Sequence, residues 1–387
     1  MHNRVTYPNS TNKQSNFEII GLTSMKTLSK FIAIFTFIII IIACSSSTSV
    51  DAVYKNINHG SNKNVEDDAA NRSSLLVGLA IFKRSLFEDR NNPMPSDNYV
   101  KPLTRAKLDA LDSKSVYIVK LGHSSILMKV YGSYWLIDPM FSERASPVSF
   151  VGPKRFEAAA ISLEDLPKID KVFISHNHYD HLDNDTIKFL SNDYTFFYVP
   201  KGVDENLISM GVSKANIKSL AWWQEVEFTS NEENKGRKFT IAFTPSQHFS
   251  GRTLWDRNAT LWGSWVFLLD EYKLYFSGDT GYFDGFKMIG DKYGPFDVSF
   301  MENGAYDEFW KKIHMFPAQT VQAHQDLNAN VLIPIHNSTF DLAFHDWDDP
   351  LNQILKTSQE KQVTLSTPRF GEIIDLKNPI FTERWWQ

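Results

Sequence analysis

Eight residues, HNHYDHLD at positions 176–183, constrain this chain more than any other stretch. They follow Lys171–Ser175 (KVFIS), an apolar run that reads as a buried strand. In extended backbone, residues two apart point the same way, so His176 and His178 can grip one ion. Asp180 and His181 come as the chain turns and can reach a neighbouring ion. Such nitrogen and oxygen donors suit a borderline or hard divalent cation, zinc above all. The 387 residues include one cysteine, Cys44, which excludes internal disulfides and zinc sites built on paired cysteines. Any metal must therefore rest on His, Asp and Glu.

Three later positions complete the donor set. His248 ends FTPSQH, Asp279 sits in SGDTG, and His336 ends VLIPIH. Gly278 and Gly281 beside Asp279 permit close backbone approach. All three stand where a strand is expected to end, which is where layered α/β folds place their sites. The spacing predicts an opening meander of strands at Val116–Lys120, Ile126–Val130 and Tyr134–Ile137. Further strands are expected at Tyr194–Val199, Lys238–Thr244, Trp265–Leu269, Lys273–Phe276, Val298–Met301 and Val331–Ile335. A helix should begin at Asn184 and run to Leu190. Another should open at Pro317, a residue suited to a first helical turn, and reach about Leu327. The fold class is α/β.

Hydrophobic residues make up 42% of the chain and aromatics 14%, enough for one large core. The formal charge is −5 with no basic block, so a nucleic-acid partner held through phosphates is not expected. Residues 1–24 read as a polar extension. Residues 25–43 pair Lys26 and Lys30 with a thirteen-residue apolar run, Phe31–Ala43, too short to span a bilayer and right for a signal-peptide core. Cys44 follows Ile-Ile-Ala, which resembles the lipobox of bacterial lipoproteins, where the cysteine is lipidated. Residues 44–115 are expected to hold a flexible tether to about Ser74, a short amphipathic helix over Leu75–Phe87 and a linker over Asn92–Pro102. The folded domain is placed at 116–387. The expected location is the bacterial cell envelope, at the outer membrane or the periplasmic face.

The motifs together resemble the metallo-β-lactamase fold, an αβ/βα sandwich. GHSS at 122–125, IDPMF at 137–141, ASPVSFVGPKRF at 145–156, LWGSW at 261–265, GDTGY at 278–282 and PFD at 295–297 narrow the resemblance to the N-acylphosphatidylethanolamine-hydrolysing phospholipase D family, over about residues 116–350. It implies two divalent ions, zinc by preference, with His176, His178 and His248 on the first. Asp180, His181 and His336 would hold the second, and Asp279 would bridge. It also matches His314, in IHMFP, to an active-site histidine. The implied reaction is hydrolysis of a phospholipid to phosphatidic acid and an N-acylethanolamine. A water shared by the two ions would be ionised near neutral pH, and either Asp180 or His314 would serve the leaving oxygen. A homodimer is the family's expectation, and a membrane is reached through the lipid anchor.

Two stretches depart from the family pattern: Met301-Glu302-Asn303, where animal enzymes carry an apolar segment with proline, and Asn337-Ser338, where Trp-Gly is common. Both concern the substrate, so a lactonase or a phosphodiesterase on a soluble substrate is a rival reading. A non-catalytic metal-binding envelope lipoprotein is another. Trp222, Trp223, Trp255, Phe309, Trp310 and Phe316 are candidates for an apolar groove, though most such aromatics belong to a core. Arg252 is a candidate phosphate contact or a surface residue. Asp183 either orients a ligand histidine or caps the helix at Asn184.

Overall fold

The computed structural model describes residues 83–84, 92–96, 99–229, 236–253, 255–381 and 383–387. The expected signal segment, Cys44, the tether and nearly all of the Leu75–Phe87 helix lie outside the described residues. No helix among the described residues is long and apolar enough to cross a membrane.

The opening meander forms as expected: β1 (Val116–Gly122), β2 (Ser125–Val130) and β3 (Ser133–Ile137) pair antiparallel. β4 (Ile169–Phe173), β5 (Phe196–Pro200) and β6 (Ile217–Leu220) then add in parallel, and β14 (Ile373–Asp375) closes the other edge against β1. A second seven-stranded sheet runs in the order β13-β12-β11-β10-β9-β8-β7. Its antiparallel half is β7 (Glu225–Thr229), β8 (Lys238–Thr244), β9 (Ser264–Leu269) and β10 (Tyr272–Phe276). Its parallel half is β11 (Phe296–Glu302), β12 (Ala329–Ile335) and β13 (Thr364–Leu365).

Strand alternation divides the apolar residues into three layers. Val116, Ile118, Ile126, Met128, Trp135 and Ile137 from the first sheet meet Phe239, Ile241, Phe243, Trp265, Phe267 and Phe276 from the second. The opposite face of the first sheet, with Val119, Leu127 and Leu136, packs under α1 (Arg105–Asp109), α2 (Asn184–Leu190) and α3 (Val203–Ser209). The opposite face of the second, with Val266, Tyr275 and Leu332, packs under α4 (Gly285–Tyr293), α5 (Pro317–Asp326) and α6 (Asp349–Lys361). The result is the expected αβ/βα sandwich, one domain.

Two strands shift from expectation for local reasons. KVFIS leaves the ladder after Phe173 because Ser175 N–H is taken by the Asp138 carboxylate at 2.7 Å. β5 starts at Phe196 because the Asn192 side chain accepts the N–H groups of Tyr194 and Thr195, an Asx turn that delays the strand. The helices at Asn184 and Pro317 form where predicted. Outside the expected set are α1, β6, α3, β7, α4, α6, β13 and β14.

Candidate metal centre

One end of the sandwich gathers the polar motifs. His123 follows β1, Asp138 follows β3, and β4 leads within three residues to His176. After His178 the chain turns: Leu182 N–H bonds His178 C=O at 2.8 Å. From the second sheet, β8 leads to His248, β10 to Asp279 and β12 directly to His336. The turn that carries Asp279 is possible because Gly278 adopts φ +57 and a Cβ there would meet Gly263 O at 2.7 Å.

Two clusters result. In the first, His176 Nε2 lies 2.8 Å and His248 Nε2 3.2 Å from His178 Nδ1, and Asp279 Oδ2 lies 3.8 and 3.7 Å from those two Nε2 atoms. In the second, Asp180 Oδ2 meets His123 Nε2 at 2.9 Å, His336 Nε2 at 3.3 Å and His181 Nε2 at 3.5 Å. Asp279 belongs to both neighbourhoods, with Oδ2 3.0 Å from His336 Nε2 and Oδ1 3.1 Å from His181 Nε2. The structure thus brings together all seven residues singled out as ligands, and places His314 beside them.

The outer atoms of these rings show that the inner ones present lone pairs. His248 Nδ1–H donates to Ile313 C=O at 3.0 Å and His181 Nδ1–H to Asp138 Oδ2 at 2.7 Å. His176 Nδ1 is held by Ser175 Oγ at 2.9 Å. Fixing one ring nitrogen on a carbonyl, hydroxyl or carboxylate orients the other toward a metal. Burial drives His123 down to about 3 and His178 to about 4, and pushes His176 and His248 well below the ordinary histidine range. These rings are neutral. Burial opposes charge at His336 too, but the Asp279 and Asp180 carboxylates together outweigh it and raise His336 to about 10. His181 is raised in the same way by Asp279, Asp180 and Asp138.

That crowding fits divalent ions well. Buried His181 Nε2 and Asp279 Oδ1 find no aligned hydrogen-bond partner although they face each other. An unpaired buried polar atom is costly, and a cation between the lone pairs would remove the cost. The donor set is His and Asp throughout, as zinc and similar metals accept.

Several expectations need correction. Arg252 is not a free surface residue. Its Nη1 donates to Asn177 C=O and Leu182 C=O, both at 2.8 Å, and its guanidinium lies 4.0 Å over Tyr179, so it braces the ligand loop from outside. Asp183 stands at the N-cap position of α2 but makes no cap hydrogen bond. It touches no ligand ring and instead binds Ser142 Oγ and N–H and Thr186 Oγ1, tying the 141–142 loop down. Of the six aromatics, Trp222 and Trp223 pack against cores and Trp255 is 84% exposed. The small cavity beside His336 is lined by Phe156, Phe340 and Trp347 together with the polar Asn337, Ser338 and Asp341.

Three residues without an assigned role prove to be part of the site. His123 and Asp138 lie in motifs already noted, GHSS and IDPMF. Glu302, noted only as a departure, reaches His314 Nδ1 with Oε1 at 3.1 Å.

Residues 134–337 match the model of the beta-lactamase superfamily domain, just over half of the chain. The chain is 34% identical over 311 residues to the N-acyl-phosphatidylethanolamine-hydrolyzing phospholipase D 1 of Caenorhabditis elegans, covering 76% of this chain and 86% of that protein. It is 50% identical over 99 residues to the outer membrane protein RomA of Klebsiella pneumoniae, 26% of this chain and 74% of that one. Among solved structures, an isothiocyanate hydrolase from Delia radicum gut bacteria superposes with TM-score 0.53 at 22% identity, over 67% of this chain and 98% of that one. Sandwich, donor clusters and relatives agree: the chain belongs to the metallo-β-lactamase superfamily of metal-dependent hydrolases, alongside the N-acylphosphatidylethanolamine-hydrolysing phospholipases D.

Proposed function

We propose that this hydrolase is a binuclear phosphodiesterase of the phospholipase D type, cleaving N-acylphosphatidylethanolamine to phosphatidic acid and an N-acylethanolamine. The observation that carries the reading is a pair of donor clusters sharing Asp279 in a chain 34% identical to a relative named for that activity. His176, His178 and His248 would hold one ion, Asp180, His181 and His336 the other, with Asp279 between them. Two bound divalent ions, zinc by preference, would supply Lewis acidity to the phosphoryl oxygens and activate a water.

The chain's own residues then do the rest. Asp138, Ile313 C=O and Ser175 keep His181, His248 and His176 turned inward. His314 stands at the rim, its ring centroid 5.2 Å from those of both His248 and His336. Lipidation at Cys44 would hold the domain at an envelope membrane, in keeping with a relative named as an outer membrane protein. A processed-chain mass that Cys44→Ala leaves unchanged would refute the anchor.

The test of function is incubation of the full-length, metal-loaded chain with N-acylphosphatidylethanolamine, following both products by mass spectrometry. Wild type should form both and Asp279→Asn neither. Turnover of lactones or soluble diesters in place of the lipid would move the assignment to the rival hydrolase reading, which the polar Glu302 and Asn337 beside the site favour.

A further inference from the structure

We propose that Glu302 is a positioning residue that turns His314 Nδ1–H back onto its own carboxylate, leaving Nε2 to deliver a proton to the departing oxygen. This deepens the phosphodiesterase reading and rests on it. Glu302 is the last residue of β11 and continues the inward row of Val298 and Phe300, with Ile335 opposite it in β12. It is completely buried. Inward residues lower in the strand fill the core between the sheets, whereas the last one emerges beneath the metal centre. Burying a carboxylate is costly unless its oxygens are satisfied, and here both are. Oε1 faces His314 Nδ1 at 3.1 Å, and Oε2 accepts Met315 N–H at 2.9 Å. Its own N–H and C=O are pinned by Ser277 Oγ and Thr320 Oγ1, both at 2.9 Å.

Met315 N–H can only donate, so the side chain beneath His314 must offer one oxygen there and a second to the imidazole. A carboxylate does both. A glutamine would present an amine to one of the two. Asp279, His314 and His336 form a third convergent group, so the His314 ring stands next to the shared aspartate. Asp180, the other candidate for proton delivery, has its Oδ2 shared by His123 and His336. The chain therefore assigns the two roles to different residues, a ligand and a donor.

The step balances as follows. Water loses one proton to solvent and its oxygen forms the new bond to phosphorus. The bond from phosphorus to the leaving oxygen breaks with its electron pair on that oxygen, which takes the proton from His314 Nε2. His314 keeps Nδ1–H on Glu302 and regains the Nε2 proton from solvent.

The test compares two diesters in full-length, zinc-loaded protein: a phosphodiester of an N-acylethanolamine, whose alkoxide needs a proton to leave, and bis(p-nitrophenyl) phosphate, whose phenolate does not. For Glu302→Gln, kcat/KM on the alkyl diester should fall roughly 10- to 100-fold, with zinc content and the rate on the aryl diester near wild type. His314→Gln should show the same split, and Glu302→Asp should recover part of the loss. A downfield imidazole N–H proton resonance that His314→Gln abolishes should also vanish in Glu302→Gln. Equal losses on both diesters, or none on either, would overturn the proposal. Wild type that hydrolyses neither diester would instead remove the phosphodiesterase reading. The resonance would then decide the Glu302 contact by itself: persistence in Glu302→Gln refutes it.

Discussion

Asp138 sits wholly buried behind His181 and accepts Ser175 N–H and His181 Nδ1–H, both at 2.7 Å. Burial raises its carboxyl above the ordinary range, and the His181 and Ser175 contacts only partly offset this. With no room for water, the pair keeps its charge only as an ion pair or beside a metal that makes His181 a stronger acid. Asp138→Asn turns an amide toward one of these donors and loosens the ring. Metal affinity should fall about 10- to 100-fold, read by competition with a chelating dye, while the fold persists. Asp138 and Glu302 show the same arrangement from two sheets, each a buried carboxylate under an imidazole. In the sequence, Asp138 is merely the residue after a strand, and nothing in IDPMF says which histidine it will meet.

Elements place these residues because the turns between them are tight. A Cβ on Gly281 would lie 1.9 Å from Lys312 C=O, and one on Gly304 2.0 Å from His336 C=O. Gly281 therefore lets the segment before His314 lie against the Asp279 turn, where Ile313 C=O orients His248. Gly281→Ala should cost about 1–3 kcal/mol by overpacking, measured by urea unfolding, and should weaken metal binding as well, since His248 and His314 both hang on the displaced strip. A loss of stability with unchanged metal affinity would show that the strip moves without the ligands. Outside the site, Arg252 and Asp183 brace the 176–183 loop and its neighbour, so the ligand loop is held by backbone contacts on its far side.

At the scale of the molecule, the two sheets are joined by the aromatic layer and by one buried charge. Lys120 of β1 reaches across to Pro334 C=O of β12 at 2.7 Å and to Asn337 Oδ1 at 3.0 Å, with Phe370 5.0 Å below. Burial lowers its amine from 10.5 to about 7. Between those two values the unfolded chain binds more protons than the native one, so this group makes stability rise with pH across the window and leaves the full penalty in place below it. The unfolding free energy of wild type minus that of Lys120→Met should therefore increase from pH 7 to pH 10, measured by urea titration at each pH. A flat difference would mean that the amine titrates normally. The contact also explains Asn337, one of the two departures from the family pattern: it is the partner of a lysine on the opposite sheet.

The sequence by itself determined the donor set, the α/β order and the strand ends that bear the ligands, because each is written in a short stretch. HNHYDHLD, TPSQH, GDTG and PIH are local patterns, and their chemistry follows from residue type and a spacing of a few residues. The tertiary structure alone decided which second partners these residues acquire. Asp138 meets His181 because β3 and β4 lie side by side, Lys120 meets Asn337 because β1 and β12 face each other across the core, and Glu302 meets His314 because the segment after β11 folds back over the strand's end. It also decided that Arg252 is engaged by the backbone of the 176–183 loop. Contacts between residues far apart in the chain depend on register and sheet order, which no local pattern encodes.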